Sequence, residues 1–213
     1  MRNYQTNKEK VLRISKRAYD EKLFAGTSGN LSIYDRDGGV IIITPSSLDY
    51  QAMQVDDIMV ITPEGRIVEG KHAPSSEWRL HAAIYINCRC ANAVVHTHSP
   101  FATSFAVSNE EIPLVLIEMV AFIGGHVPVA KFALPGTDQV GNEAIKVLQD
   151  RSACLMQNHG VVCFGDSLEQ AHTRSVYVED AAKIYHYAKL NGNARPIADE
   201  HVKAMFERRR AGE

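Results

Sequence analysis

Four short runs rich in β-branched residues, Leu31–Tyr34, Val40–Thr44, Ile58–Thr62 and Arg66–Val68, follow one another early in the chain with turn signals at Asp35–Gly39 and Pro63-Glu64-Gly65. Runs this short and this close read as strands that pair with their neighbours, at least one pair as a hairpin. Ahead of them, Val11, Leu12, Ile14, Ala18, Tyr19, Leu23 and Phe24 recur at helical spacing, which predicts one amphipathic helix over Lys8–Phe24, ended by Gly26. Behind them the pattern changes. Pro74-Ser75-Ser76-Glu77 predicts the opening of a helix that runs to about Asn87, because serine supplies a cap oxygen and glutamate suits the positive end of the helix dipole. Ala93–His98 reads as a buried strand and a short helix starts near Pro100. A helix over Thr137–Leu148, strands at Ala153–Gln157 and Val161–Phe164, a long helix over Leu168–Leu190 and a last one over Asp199–Arg208 complete the chain. Strands that first pair locally and then alternate with helices specify an α/β class, a mixed sheet covered by helices.

With 213 residues and no visible linker, residues 1–213 read as a single domain. Twenty-three basic against 25 acidic residues give a net charge of −2, without the basic excess that nucleic-acid affinity requires, so the expected partner is a small molecule. The longest apolar stretch, Ile112–Gly125, is shorter than the roughly 20 residues that cross a bilayer and carries Glu118 in its middle, so no membrane span is expected. The polar start of the chain lacks the apolar segment of a secretory signal, which predicts a cytoplasmic protein. Cys88 and Cys90 form C-x-C rather than a zinc-type C-x-x-C, and with Cys154 and Cys163 they read as reduced thiols.

His96 and His98 stand two apart at the end of an apolar strand, and the strand period of two sends both imidazoles to one face. A lone histidine is usually structural; two on one face suit a metal ion. His159, between an apolar strand and Gly160, is a third candidate ligand, and Glu77 could be a fourth. His81 lies one helical turn beyond Glu77 on the same face, so the sequence leaves open which of the two points at the metal. A second set consists of small polar residues at element ends: Thr27-Ser28-Gly29-Asn30, Thr44-Pro45-Ser46-Ser47 and Ser75-Ser76. Each alone is a turn or a cap. Together they suggest N–H and hydroxyl groups converging on an anion such as phosphate.

The blocks GTSGNLS, ITPSS, PSSEWRLHAAIY, VVHTHSPFATSFA and NHGVV, in that order and spacing, resemble the class II aldolase/adducin-head family, most closely its L-fuculose-1-phosphate aldolase branch, from about Val11 to Leu190. The resemblance implies a three-layer α/β/α fold around a mixed, largely antiparallel sheet, and a cyclic homotetramer with active sites between subunits. It also implies that Glu77, His96, His98 and His159 are the metal ligands and that Ser28, Gly29, Asn30, Ser46, Ser47, Ser75 and Ser76 form the phosphate site. One position departs from the branch. The family's tyrosine six residues before the Gly-Gly pair is Glu118 in this chain, counted from Gly124-Gly125, and no tyrosine follows Phe206. A carboxylate there is closer to methylthioribulose-1-phosphate dehydratases and to aldolases acting on 5-deoxypentulose 1-phosphates; the competing reading of Glu118 is an exposed charge at a strand edge.

The implied activity is that of a lyase: metal-dependent cleavage of a ketose 1-phosphate, of the 5-deoxyribulose or L-fuculose type, to dihydroxyacetone phosphate and acetaldehyde or lactaldehyde. Three imidazoles fit zinc, and a carboxylate in the set also accepts manganese. Glu77 would alternate between ligand and proton acceptor, and Glu118 from a neighbouring subunit would handle the proton at the C4 hydroxyl. A dehydratase or a pentulose-phosphate 4-epimerase uses the same scaffold. A non-enzymatic adducin-like head can dispense with the metal ligands, whereas all four are present in this chain.

Overall fold

The computed structural model describes residues 4–211. In chain order the elements are α1 (Gln5–Asp20), β1 (Asn30–Asp35), β2 (Val40–Ile43), β3 (Met59–Ile61), β4 (Ile67–Glu69), α2 (Trp78–Asn87), β5 (Ala93–Thr97), α3 (Pro100–Ser108), α4 (Ile117–Phe122), β6 (Val129–Ala130), α5 (Asp138–Leu148), β7 (Ala153–Met156), β8 (Gly160–Gly165), α6 (Leu168–Leu190) and α7 (Asp199–Ala211). All eight strands form one sheet in the order β4-β3-β2-β1-β5-β8-β7-β6. Every neighbouring pair is antiparallel except β6 and β7. The expected mixed, largely antiparallel sheet is therefore present.

Its two faces follow from the alternation of side chains along each strand. Ile41, Ile43, Val94, Cys154, Met156, Val162 and Phe164 pack with Leu80, Ile84, Val140 and Ala144 of α2 and α5. The residues between them point the other way: Leu31, Ile42, Ala93 and Val95 meet α1 and the start of α6, while Ala153, Leu155, Val161 and Cys163 meet α3, α4 and α6. Both faces are covered, giving three layers. The alternation also separates Cys154 and Cys163, which are buried on opposite faces; all four cysteines are free thiols. Each fully buried isoleucine contributes about 1.5–3 kcal/mol of burial, so a strand such as Val40–Ile43, apolar on both faces, is held from both sides.

The first helix ends earlier than its periodicity predicts. It stops at Asp20, and Leu23 and Phe24, expected inside it, lie beyond it in the core. Lys22 takes a left-handed conformation (φ 64°), the Leu23 N–H donates to the Ala18 carbonyl at 3.0 Å and the Lys22 N–H to Tyr19 at 3.0 Å. This is a Schellman stop made without glycine, stabilised by burying Leu23 in the cluster that holds Ala18. Two elements, α4 and β6, fall in segments whose sequence carries no clear period: α4 within the apolar run Ile112–Gly125, and β6 with two residues at the sheet edge.

The connection from β4 to α2 is tied down by Asp57. Its Oδ2 accepts the Gln54 N–H at 2.8 Å, and its Oδ1 lies 2.9 Å from His72 Nε2 and 3.0 Å from Lys71 Nζ. The Gln54 N–H first, then His72 and Lys71, hold the carboxyl well below the usual carboxylate range. A depressed carboxyl contributes stability above its unfolded pKa of about 4 and loses it as pH falls. Asp57→Asn should therefore be less stable than the wild type at neutral pH and flatten the acid limb of the stability curve below about pH 4. Denaturant unfolding at a series of pH values measures this, and parallel acid limbs would remove Asp57 from the account.

Candidate metal centre and adjoining cleft

Three segments distant in sequence deliver four side chains to one point. Antiparallel pairing of β1 with β5 sets Asn30 directly opposite His96, and pairing of β5 with β8 sets His96 opposite Val162. His96 shares the face of Val94, toward α2, and His98 follows just past the strand end on the same side, as the period of two predicts. After His98 the chain enters α3, whose first N–H groups are held from α6: Glu179 accepts from Phe101 at 3.0 Å and from Ala102 at 2.8 Å. His159 sits in the turn between β7 and β8, after Asn158 in a left-handed conformation (φ 56°). Gly160 lets that turn close in, because a Cβ there would collide with the Thr97 carbonyl oxygen and lie 3.2 Å from His96 Cε1.

Glu77 is the residue that the helix supplies, and not in the way a dipole-complementing glutamate would. The helix begins at Trp78, one residue later than predicted, and Glu77 is its N-cap without a side-chain cap hydrogen bond. The cap role expected of the serines is also absent: the Ser75 hydroxyl accepts the Glu77 N–H at 3.3 Å in the turn before the helix. The Glu77 carboxylate is turned inward, with Oε2 3.0 Å from His96 Nε2 and Oε1 3.0 Å from His159 Nε2. His98 Nε2 lies 2.9 Å from His96 Nε2. The three rings meet edge to face, with centroids 4.7–5.1 Å apart.

These residues fit a divalent metal on the chemistry of the donor set. The four ligand atoms all lie within 4.8 Å of one another. His96 Nδ1 is 2.8 Å from the Val161 carbonyl, to which it can only donate, so in the neutral ring Nε2 carries the lone pair, the tautomer that metal ligation requires. Two imidazole nitrogens face each other at 2.9 Å, and the buried Glu77 Oε1, although 3.0 Å from His159 Nε2, has no well-aligned hydrogen bond. A cation at their centre would satisfy all of them. Electrostatics already polarise the cluster. Burial alone would push the Glu77 carboxyl up, but His96 and His159 hold it below the ordinary range. Burial opposes the charged form of His96, yet Glu77 raises its pKa. His98 is pushed down to about 3 by burial and by the neighbouring His96 and His159.

The centre opens onto a cleft of about 300 Å³. Ser28, Gly29, Asn30, Ser46, Ser47, Ser75 and Ser76, the seven residues that the resemblance implies for a phosphate site, line it together with Glu77, His98 and His159. Two of the serine loops are laced together: the Ser46 N–H donates to Ala73 and the Ser75 N–H to Thr44, both at 3.0 Å. Gly29 (φ 81°) lies against the Phe24 ring, which leaves no room for a Cβ. Thr27, Pro45 and Pro135 also line the cleft, and among the described residues no lysine or arginine does. Thr27 and Pro45 belong to the blocks that the sequence pointed to; Pro135 comes from a distant loop without any signal. A larger cavity of about 440 Å³, lined by Arg89, Arg151 and Arg174 among others, lies at the opposite end of the strands and contains none of these groups.

Two sequence candidates fall outside the centre. His81 is fully buried behind Glu77 and bonds to Asn30 and Ser32 instead, which settles the ambiguity in favour of Glu77. Glu118 lies half-buried in the first turn of α4, not on a strand, and is not part of the cleft wall of its own chain.

The chain is similar to known proteins over most of its length. A family profile described as Class II Aldolase and Adducin N-terminal domain matches residues 9–186. The chain is 31% identical over 204 residues to a 5-deoxy-D-ribulose 1-phosphate aldolase of Bacillus thuringiensis serovar kurstaki, covering 96% of this chain and 95% of the relative. It is 34% identical over 184 residues to an L-fuculose phosphate aldolase of Escherichia coli K12, covering 86% and 84%. A solved L-fuculose 1-phosphate aldolase superposes with a TM-score of 0.91 at 34% identity, covering 96% of both chains.

The close approach at Gly160 makes a prediction of its own. Gly160→Ala must push the β7–β8 turn away from Thr97, and overpacking of this kind costs about 1–3 kcal/mol. In a chain of this length the thermal midpoint should fall by roughly 3–10 °C, measured by calorimetry. An unchanged midpoint would mean that the turn has room the geometry denies it.

Proposed function

The chain belongs to the family of class II aldolase and adducin N-terminal domains, and on that premise we propose that it is a lyase that cleaves a ketose 1-phosphate between C3 and C4, releasing dihydroxyacetone phosphate and a small aldehyde. The observation that carries this reading is the buried His₃Glu cluster opening directly onto a serine-lined cleft. Glu77, His96, His98 and His159 would hold one divalent cation, zinc or manganese, which when bound supplies Lewis acidity for the enediolate charge left by the carbon–carbon cleavage. The cleft would take the phosphate through hydroxyls and main-chain N–H groups rather than through a full cation, fixing which carbons face the cluster. No lysine lines it, which suits a mechanism without a Schiff base. Glu77 would move the proton, since one of its oxygens has no hydrogen bond.

Glu118 would reach the substrate of a neighbouring subunit. Its absence from its own chain's cleft wall supports that role, as does Ile117 beside it, 65% exposed and suited to being covered by a second copy. The assembly would be a homotetramer with shared active sites. Residues 1–213 would act as one domain. Free thiols at all four cysteines suit the reducing cytoplasm. For the aldehyde portion, a 5-deoxypentulose 1-phosphate releases acetaldehyde, whose methyl group needs only an apolar wall such as Val115–Phe122. About one methyl of burial is worth ~1 kcal/mol, so the preference over an L-fuculose-type substrate should be modest.

A panel of ketose 1-phosphates assayed for dihydroxyacetone phosphate should show cleavage of several, with 5-deoxypentulose 1-phosphates at least competitive. Elemental analysis should find about one transition metal per chain, and both metal and activity should disappear in His96→Ala. Full turnover after chelation to a metal-free state would refute the mechanism; loss of water or epimerisation without aldehyde release would move the chain to a dehydratase or an epimerase.

Glu118→Gln preserves size and removes the titrating proton, so kcat should fall ~100-fold or more if Glu118 is a general acid or base. Light scattering on the same preparations should show a tetramer. A fully active monomer, or wild-type turnover in the variant, would return Glu118 to an ordinary surface charge.

A further inference from the structure

Behind Glu77 runs a buried chain of hydrogen bonds that the metal centre itself does not require. Glu77 Oε2 accepts from Asn30 Nδ2 at 2.9 Å; Asn30 Oδ1 lies 2.5 Å from His81 Nε2; His81 Nδ1 lies 2.6 Å from the Ser32 hydroxyl; and that hydroxyl lies 2.6 Å from the Tyr85 hydroxyl. His81 and Ser32 are fully buried and Tyr85 nearly so. The local geometry explains the alignment. Asn30 and Ser32 are two apart on β1 and share a face, and His81 and Tyr85 are four apart on α2 and share a stripe.

Donor and acceptor capacities give the chain a single direction. An ionised carboxylate only accepts, so the Asn30 amide presents its NH₂ to Glu77 and its oxygen to His81. An amide oxygen also only accepts, so His81 carries its proton on Nε2. Burial and the nearby His96 keep the His81 ring neutral, with its pKa pushed down to about 3. Nδ1 then accepts from Ser32, whose one proton is thereby spent, so the Tyr85 hydroxyl proton is shared between Ser32 Oγ at 2.6 Å and the Ser32 carbonyl at 3.0 Å. From Ser32 inward, every donor points toward Glu77. Were the Asn30 amide reversed, its oxygen would oppose the carboxylate and its NH₂ would oppose the His81 N–H, leaving buried groups unsatisfied.

We propose that His81 is a positioning residue of the metal centre: acting through Asn30, which sets its tautomer, and held at Nδ1 by Ser32, it pins Glu77 Oε2 and leaves Oε1 as the oxygen presented to the ion. This rests on the reading of Glu77 as a metal ligand. It assigns a function to a histidine that makes no contact with the cluster, and it explains why the helix keeps a polar ring at a site otherwise suited to an apolar side chain.

The test is a titration of the chelated full-length protein with Co²⁺ alone, followed by visible absorption, together with the thermal midpoint of each metal-free variant. His81→Phe fills the space without a donor, and its Co²⁺ dissociation constant should rise about 10–100-fold with an altered ligand-field band. His81→Gln, which retains an N–H for Asn30 and an acceptor for Ser32, should recover most of the affinity. Ser32→Ala should fall between. A purely structural residue would lower the midpoint in these variants and leave the Co²⁺ affinity and spectrum alone, and that result overturns the proposal. Should His81→Phe not fold, the comparison of Ser32→Ala with the wild type decides in the same way, weaker binding supporting the relay and equal binding refuting it. A wild-type protein that takes up no Co²⁺ would overturn the metal reading and the relay with it; uptake with equal affinity in wild type and His81→Phe overturns the relay alone.

Discussion

A carboxylate almost wholly removed from solvent governs this structure. Glu77 is 7% exposed, and a charge buried to that extent is tolerated only when it is paired and hydrogen-bonded. Its partners come from β1, β5 and the β7–β8 turn, segments that meet only once the sheet is assembled. Folding the sheet and neutralising Glu77 are thus one event. The cluster cannot form in a partly paired sheet, and a sheet completed without the histidines would leave an uncompensated charge in its core.

The same dependence explains features that otherwise look unrelated. The turn before α2 is laced to Thr44 and Ser46, and the connection leading to it is clamped by Asp57, so the segment that delivers Glu77 is fixed at both ends. The His98 end of β5 is fixed by Glu179 on the far side of the sheet, through the first N–H groups of α3. Gly160 removes the last obstacle to the approach of His159. Each device lies outside the cluster and restricts one of its members.

What the sequence revealed was what short-range geometry controls. The spacing of His96 and His98 is a strand property, and β5 conforms to it. The long helix over Leu168–Leu190 and the early meander of strands were legible because period and turn residues agree over their whole length. The end of α1 was not, because a lysine in a left-handed conformation has no sequence signature; the stop is imposed by the burial of Leu23. Likewise, Glu77 and His81 are equivalent on a helical wheel. Asn30, brought opposite His96 by the β1–β5 register, separates their roles by offering its NH₂ to one and its oxygen to the other. Ser32 and Tyr85 carried the right spacing, but only the pairing of a strand with a helix from another part of the chain joins them.

Among the described residues no lysine or arginine lines the cleft, which suits the same charge balance. With neutral imidazoles, one carboxylate would leave a divalent ion with a net positive charge, among buried side chains at the floor of the cleft. Coulomb attraction in such surroundings is several-fold stronger than in bulk water. Under the proposed function, the phosphate would be drawn by that residual charge and oriented by hydroxyl and main-chain dipoles. A lysine in the wall would bind substrate and product phosphate alike, deepening the ground state without favouring the transition state. Hydroxyls that would hold the anion by geometry, with the strong charge placed where the enediolate would develop, would put the electrostatic stabilisation on the reacting carbons instead.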